Sequence, residues 1–124
     1  MKKKILLRDV TSLSASSKKK GHFTGHENHH IDLTTASEMT RAYRMNNPGQ
    51  TIAHFFGKQA IIDILNQSTC VGIRIYYAND AQTGQKHLVV VGANTEMDDL
   101  SNGLIAERAI SCPTYCGKPN SLNS

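Results

Sequence analysis

The sequence predicts an α+β fold in which two helices pack on one face of a small antiparallel sheet of two or three strands. Two segments with helical periodicity come first, two β-rich segments follow them, and a basic stretch without periodicity precedes all four. Helices and strands that occupy separate parts of a chain are typical of α+β domains, whose helices lie on one side of an antiparallel sheet. A length of 124 residues is typical of one domain.

The N-terminal segment is predicted to be a disordered, basic and histidine-rich tail. Residues 1–20 contain seven basic residues and one acidic residue, whereas residues 21–124 contain seven basic and nine acidic residues. The basic isoelectric point is therefore a property of the tail. Ser, Lys, Gly and His dominate its second half, and such a composition cannot bury enough apolar surface to offset the entropy of ordering. The predicted boundaries are 1–30 for the tail, 31–117 for the α+β domain and 118–124 for a flexible C-terminus.

The lysines of the tail are candidates for weak contact with nucleic acid. They are Lys2, Lys3, Lys4, Lys18, Lys19 and Lys20. A tail of this charge binds phosphate groups with a strong dependence on salt. The remainder of the chain is slightly acidic and lacks zinc-finger, RNP and helix-turn-helix patterns, so it does not show the basic folded face of a nucleic-acid-binding domain. A solvated tail is the favoured interpretation, and the same holds for the tail histidines, which nothing preorganises as metal ligands.

The chain is expected to be cytoplasmic and to make no membrane contact. Its start contains lysines and the apolar run Ile5-Leu6-Leu7, but Arg8 and Asp9 interrupt that run. A signal peptide needs an apolar core of about 7–15 residues, and a membrane-spanning helix needs about 18. The chain has three cysteines, and this odd number argues against a closed disulfide framework and fits a reducing compartment.

The two predicted helices precede the strands. The first begins near Leu33, because Thr35-Ala-Ser-Glu38 matches a capping box, in which the hydroxyl accepts an early helical N–H and the glutamate reaches back to the cap. Asn46-Asn-Pro-Gly49 ends it with strong helix-breaking chemistry. The second helix is expected over residues 56–66. Its apolar stripe consists of Ala60, Ile61, Ile64 and Leu65.

The clearest predicted strand covers residues 70–78. Its apolar residues alternate onto one face, which the helices are expected to cover, while Arg74 and Tyr76 fall on the opposite, open face. The covered residues are Val71, Ile73, Ile75 and Tyr77. The next strand, 87–93, is apolar on both faces and is therefore expected to be central or covered, and it forms a hairpin with the first. Residues 104–110 are a candidate third strand.

The segment Cys112-Pro-Thr-Tyr-Cys116 is the most distinctive local feature. Zinc takes four ligands in a tetrahedron, and two cysteines at this spacing allow one turn to supply two of them. A zinc site would then use Cys112, Cys116 and Cys70, with His54 or His87 as the fourth ligand. The same pair has two other interpretations, a local disulfide or a redox switch. Two ordinary cysteines in a tight turn are favoured, with Cys70 as a small core residue.

The sequence contains no catalytic motif. It lacks a nucleophile elbow, a phosphate-binding loop, a dinucleotide fingerprint and a zinc-protease helix, which favours a non-enzymatic protein. Arg74 and Tyr76 on the open sheet face, together with Glu107, are nevertheless candidates for an interaction surface or a shallow site. A surface ion pair is the default interpretation of such charges.

Four segments of the chain form a set in a fixed order. They are His54-Phe-Phe-Gly57, Cys70-Val-Gly-Ile-Arg-Ile-Tyr-Tyr77, Asn102-Gly-Leu-Ile-Ala-Glu-Arg108 and Cys112-Pro-Thr-Tyr-Cys-Gly117. Together they resemble a family of small bacterial proteins with no assigned function, over residues 31–124. The resemblance implies a bacterial, intracellular, single-domain protein, and it implies no activity and no catalytic residues.

These observations favour a non-enzymatic binding or protein-interaction module that associates with a protein partner or with itself. Because the second strand is apolar on both faces, helices on one side of the sheet would leave an apolar surface on the other, and such a surface usually marks an interface. Two alternatives stay open. One is a zinc-stabilised domain built on Cys112 and Cys116, and the other is an enzyme with a small site near Arg74, Tyr76 and Glu107.

Overall fold

The computed structural model describes residues 21–124, so the predicted disorder of residues 1–20 lies outside the described part of the chain. The described elements are α1 (Leu33–Asn46), β1 (Ala53–Phe55), α2 (Lys58–Leu65), β2 (Gly72–Asn79), β3 (Lys86–Ala93), β4 (Ile105–Ala106) and β5 (Ile110–Cys112). The predicted α+β class is confirmed. The strands form two antiparallel sheets, one in the order β2–β3–β4 and one made of β1 and β5.

The N-cap of helix α1 lies three residues before Thr35, the predicted cap. It is Asp32, whose side chain accepts a hydrogen bond from the backbone N–H of Thr35 at 2.8 Å. The prediction that Thr35 is the cap is therefore wrong, because the Asp32 carboxylate satisfies the free N–H groups of the first turn. The predicted C-terminus is correct, since the helix ends at Asn46 and Gly49 follows with a φ of +78°.

Polar contacts with the C-terminal segment hold α1. Arg44 donates hydrogen bonds to the carbonyl oxygens of Leu122 and Ser124, and the hydroxyl of Ser37 donates to that of Ser121. No residue of α1 is buried, and Met45 is 71% exposed. The sequence predicts that both helices pack an apolar face on the sheet. Helix α1 buries no side chain there, and the ring of its Tyr43 lies 5.3 Å from the ammonium of Lys86 at the start of β3.

The core lies where α2 packs on β2 and β3. Ile64 of α2 is 2% exposed and Val90 of β3 is 1% exposed. Gln67, just beyond α2, donates to the carbonyl of Ile64 and accepts from the N–H of Leu104, which fastens the end of the helix to the segment before β4. Strand β3 is the central strand of its sheet, as predicted from its apolar residues on both faces.

Strand register defines two faces of the β2–β3 hairpin. Ile75 lies opposite Val90 and Arg74 lies opposite Val91. Side chains alternate along a strand, and residues directly opposite one another share a face. We call the face with Ile73, Ile75 and Tyr77 the apolar face, and the face with Arg74 and Tyr76 the polar face.

The candidate third strand at 104–110 is two strands in the structure. β4 pairs with β3, whereas β5 pairs with β1, a strand that the sequence analysis did not predict. Arg108 lies between them in the left-handed backbone region, with a φ of 58°. This conformation turns the chain from one sheet to the other.

Residues 21–30 contain no helix or strand, but they contact the larger sheet. The N–H of Phe23 donates to the carbonyl of Thr95, and the guanidinium of Arg74 lies 5.3 Å from the centre of the Phe23 ring. Gly25 has a φ of +86°, and a Cβ there would lie 2.9 Å from the carbonyl oxygen of Val71. Only glycine fits this close approach without strain. None of the helices in the described residues is long and apolar enough to span a bilayer.

Candidate functional site

Two of the three residues predicted for the open sheet face meet at one carboxylate. Arg74 donates to Oδ1 of Asp99 at 2.5 Å and to the carbonyl oxygen of Met97 at 3.1 Å, and the Tyr76 hydroxyl donates to Oδ2 of Asp99. Asp99 reaches this position because its backbone pairs with Ala93 at the end of β3. The sequence does not indicate a role for Asp99, since a residue in a turn carries no signal of which strand it will contact.

The charged and polar groups of Arg74, Tyr76 and Asp99 are paired with one another. The hydroxyl of Tyr76 and the guanidinium of Arg74 hold the pKa of the Asp99 carboxyl below its usual value. The same carboxylate raises the pKa of Tyr76 and the pKa of Arg74, because it accepts a hydrogen bond from each. Both oxygens of Asp99 have partners, so the arrangement stabilises a fixed geometry and leaves no activated acid or base.

Glu107, the third predicted residue, does not join this cluster. Its Oε2 is paired with Nδ1 of His87. The hydrogen bond from His87 lowers the pKa of Glu107, with a smaller contribution from the backbone N–H of Arg108. The predicted set therefore divides into two separate polar contacts, and its members do not converge on one position where a substrate could react.

The four predicted zinc ligands do not form one site. Cys112 and Cys116 form a disulfide, with their Cα atoms 4.8 Å apart, so the local disulfide replaces the pair of ordinary cysteines that the sequence favours. His54 lies beside Ser111 in the β1–β5 pair and is on the opposite face from Cys112. Within residues 21–124, no three His, Cys, Asp or Glu side chains are grouped to hold a metal ion.

The two remaining candidate ligands have other contacts. Cys70 is a free thiol that donates to the carbonyl of Gly72 at 3.2 Å, and it lies so close to Gly92 that a Cβ there would be 2.8 Å from the sulfur. His54 places Nε2 3.2 Å from the carbonyl oxygen of Lys86, and His87 contacts Glu107. Cys70 is half-buried, so it packs at the margin of the core and is not the fully buried core residue that the sequence suggests.

The apolar face of β2 is open to solvent. Ile73 is 38% exposed, Ile75 is 47% exposed and Tyr77 is 92% exposed, so exposure increases along the strand. The expectation that helices cover this face is wrong for these three residues. Helix α2 covers the neighbouring part of the face at Val90, and α1 contacts the C-terminal segment instead.

The backbone of β2 is also unpaired along one side. β2 is the first strand in the order β2–β3–β4, so β3 is its neighbour on one side only. In the described part of the chain, β3 is the only strand whose backbone pairs with β2, and the one other hydrogen bond to the β2 backbone is that from the Cys70 thiol to the carbonyl of Gly72. Alternate N–H and C=O groups along this eight-residue strand therefore point outward from the sheet. We call this side, with Ile73, Ile75 and Tyr77, the β2 edge.

Comparison with protein-family models, with curated proteins and with solved structures finds no match for the chain. The family resemblance of the four sequence segments therefore stays a prediction. The fold and its contacts define the class, a small α+β protein with a disulfide and an open sheet edge.

Proposed function

We propose that this chain is a non-enzymatic protein-interaction module whose interaction surface is the β2 edge, and that a second copy of the same chain occupies it. The observation that carries the proposal is that β2, an eight-residue strand with one unpaired side, also carries a row of exposed apolar side chains. Natural proteins normally shield long apolar edge strands with charges, prolines, bulges or covering segments.

Strand addition would use both properties of the edge at once. The outward N–H and C=O groups of β2 would form a ladder with a neighbouring strand, and the apolar row would pack against the side chains of that strand. A second three-stranded sheet joined in this way gives a continuous six-stranded sheet, in which β2 is central and no longer an edge.

The sequence of β2 is self-complementary in the antiparallel register whose two-fold axis passes through Ile75. With the two-fold axis at Ile75, this residue lies opposite its own copy, and Ile73 lies opposite the partner's Tyr77. On the polar face, Arg74 lies opposite the partner's Tyr76. Pairs of aromatic and β-branched residues stabilise antiparallel strands, whereas like charges directly opposite destabilise them. A register centred on Arg74 would oppose two guanidinium groups, so the axis at Ile75 is favoured.

The alternatives have less support from the contacts. The polar side chains that an enzyme would need are paired within the chain, as Asp99 with Arg74 and Tyr76 and as Glu107 with His87. A zinc site would have to break the disulfide between Cys112 and Cys116. We therefore do not propose catalysis or a structural metal.

The cellular compartment of the protein and the contact of its tail lysines with nucleic acid are both still expectations from the sequence. A cytoplasmic location is expected from the sequence, but a disulfide is typical of oxidising compartments. Alkylation of thiols in intact cells tests the location, because one alkylated cysteine per chain indicates that the disulfide exists there, and three indicate a reducing compartment. Contact of the tail lysines with nucleic acid stays a prediction.

Light scattering during size-exclusion chromatography tests the second copy. Over about a hundredfold range of protein concentration, the mass should rise from that of one chain, 13.6 kDa, towards twice that value. Ile75→Lys should abolish the increase, because it places two like charges opposite each other at the axis. Met45→Lys is the matched control, since it adds the same charge at an exposed apolar residue of α1 away from the β2 edge.

Hydrogen exchange distinguishes strand pairing from contact through side chains alone. Alternate amides of β2 should become more protected as the concentration increases, and Ile75→Lys should remove this dependence. A chain that stays monomeric at the highest concentration contradicts the second copy as occupant. A dimer that Ile75→Lys and Met45→Lys leave equally intact places the interface away from the β2 edge.

A further inference from the structure

A cavity of about 480 Å³ lies between α1, the segment before β1 and the turn end of the β2–β3 hairpin. Met39 and Tyr43 line it from α1, and Tyr77 and Leu88 line it from the hairpin. Its volume is within the range of about 300–1,000 Å³ typical of small-molecule sites, which are mainly apolar with a few polar groups. The cavity shares His87 with the contact to Glu107 and shares Tyr77 with the β2 edge, and its other lining residues belong to neither.

The cavity is lined by two charged side chains, those of Arg44 and Lys86, together with His54 and His87. Among the described residues, no aspartate or glutamate lines it. Arg44 is engaged by the carbonyl oxygens of Leu122 and Ser124. The ammonium of Lys86 lies 5.3 Å from the centre of the Tyr43 ring, and within residues 21–124 it forms no ion pair. Lys86 is therefore the cation that can meet a ligand.

We propose that this cavity binds a small molecule with an apolar body and a single carboxylate. The apolar walls would take the body, and Lys86 would donate a charge-assisted hydrogen bond to the carboxylate at the rim. One available cation in apolar surroundings matches one negative charge, because a second charge would lose its hydration without a partner. The inference goes beyond the proposed self-association and does not depend on it.

Titration calorimetry with octanoate and with 1-octanol tests the charge requirement. The two probes share an apolar chain, so the cavity should bind both, and the carboxylate should make octanoate bind about tenfold more tightly. Lys86→Met keeps most of the side-chain length and removes the charge. It should reduce octanoate affinity about tenfold and leave 1-octanol affinity unchanged. Lys58→Met, at an exposed lysine outside the cavity, is the matched control.

A second variant tests the location. Met39 lines the cavity and is 63% exposed. Met39→Trp should therefore fill part of the cavity and weaken the binding of both probes. Because the side chain is exposed, the thermal midpoint of the free protein should not change. Both titrations are repeated with Ile75→Lys, so that self-association does not affect the result. Equal affinities for the two probes, an equal effect of Lys86→Met and Lys58→Met, or unchanged binding to Met39→Trp would each overturn the proposal.

Discussion

The two faces of β2 use alternate residues of one strand, yet they differ in whether the chain satisfies them. On the polar face, Arg74 and Tyr76 both reach Asp99, and every charged group of that cluster has a partner. On the apolar face, Ile73, Ile75 and Tyr77 meet solvent. A face whose polar groups are paired within one chain has a structural role, whereas an exposed apolar face is the kind of surface on which the proposed self-association depends.

The difference arises from which segments reach each face. The turn after β3 returns to the polar face and delivers Asp99, and Phe23 lies against Arg74 on the same side. On the apolar face, α2 is eight residues long and covers the region of Val90. Helix α1, which is held by the C-terminal segment, lies across a cavity from Tyr77 and leaves this residue 92% exposed.

The largest expected effect is at the covered part of the apolar face. Ile64→Ala should reduce the free energy of unfolding by about 3 kcal/mol, because it removes buried methyl groups and leaves a cavity beneath α2. Urea denaturation measures this loss. Ile75→Ala should change the free energy by no more than about 0.5 kcal/mol in dilute solution, since exposed side chains contribute little.

Concentration sharpens this contrast. At concentrations that favour the dimer, Ile75→Ala should lower the thermal midpoint, because the wild-type chain gains stability from association and the variant gains less. If Ile75→Ala costs as much as Ile64→Ala in dilute solution, then the β2 edge is covered within one chain and the contrast between the two faces fails.

A smaller effect is expected on the polar face. Asp99→Asn should cost about 1–2 kcal/mol, because it weakens two hydrogen bonds to a charged group that is still partly exposed. Tyr76→Phe removes one of those two bonds and should cost less. Thermal denaturation at neutral pH measures both variants, and Asp98→Asn in the adjacent, exposed position is the control.

The acid dependence of stability identifies the carboxylate responsible. The pKa of Asp99 is lower in the folded chain than its ordinary value of 3.8, so the unfolded chain binds the proton first. The contribution of Asp99 is therefore complete above about pH 4 and is lost as the pH falls through the folded pKa. Asp99→Asn should flatten this acid-dependent decrease of the thermal midpoint. An unchanged decrease would assign the proton uptake to other carboxylates.

Local patterns were sufficient for part of this fold. Alternation along β2 correctly predicts that Arg74 and Tyr76 share a face, and the apolar residues of β3 correctly predict a central strand. Both are consequences of the two-residue repeat of a strand, which depends on neighbouring residues alone. The end of α1 was predictable for the same reason, since breaker residues act locally.

Contacts between distant segments were not predictable from these patterns. Asp99 is 25 residues from Arg74 in the sequence. Strand β1 is defined by its pairing with β5, which follows it by more than 50 residues, roughly half the chain. The three-residue strand Ala53–Phe55 has no length over which a period could show. The exposure of Ile73, Ile75 and Tyr77 was not predictable, because the apolar residues of α1 suggest that this helix packs on the sheet. The position of α1 depends instead on its contacts with the C-terminal segment, which is distant in sequence.

The smallest expected effect is at Glu107, which pairs with His87 outside the Asp99 cluster. His87 lies opposite Ala78 in the hairpin and therefore belongs to the polar face. Glu107→Gln retains an oxygen that can accept from His87 and removes the charge. The pKa of Glu107 is lowered in the folded chain, so its contribution is present at neutral pH and is lost as the pH falls through that lowered value. Thermal denaturation from neutral to acidic pH should show a small decrease at neutral pH and a slightly weaker acid dependence, with Glu96→Gln as the control. If Glu107→Gln destabilises the chain more than Asp99→Asn, the contact between Glu107 and His87 is the main support of the polar face. The cluster at Asp99 would then not explain why that face is complete within one chain.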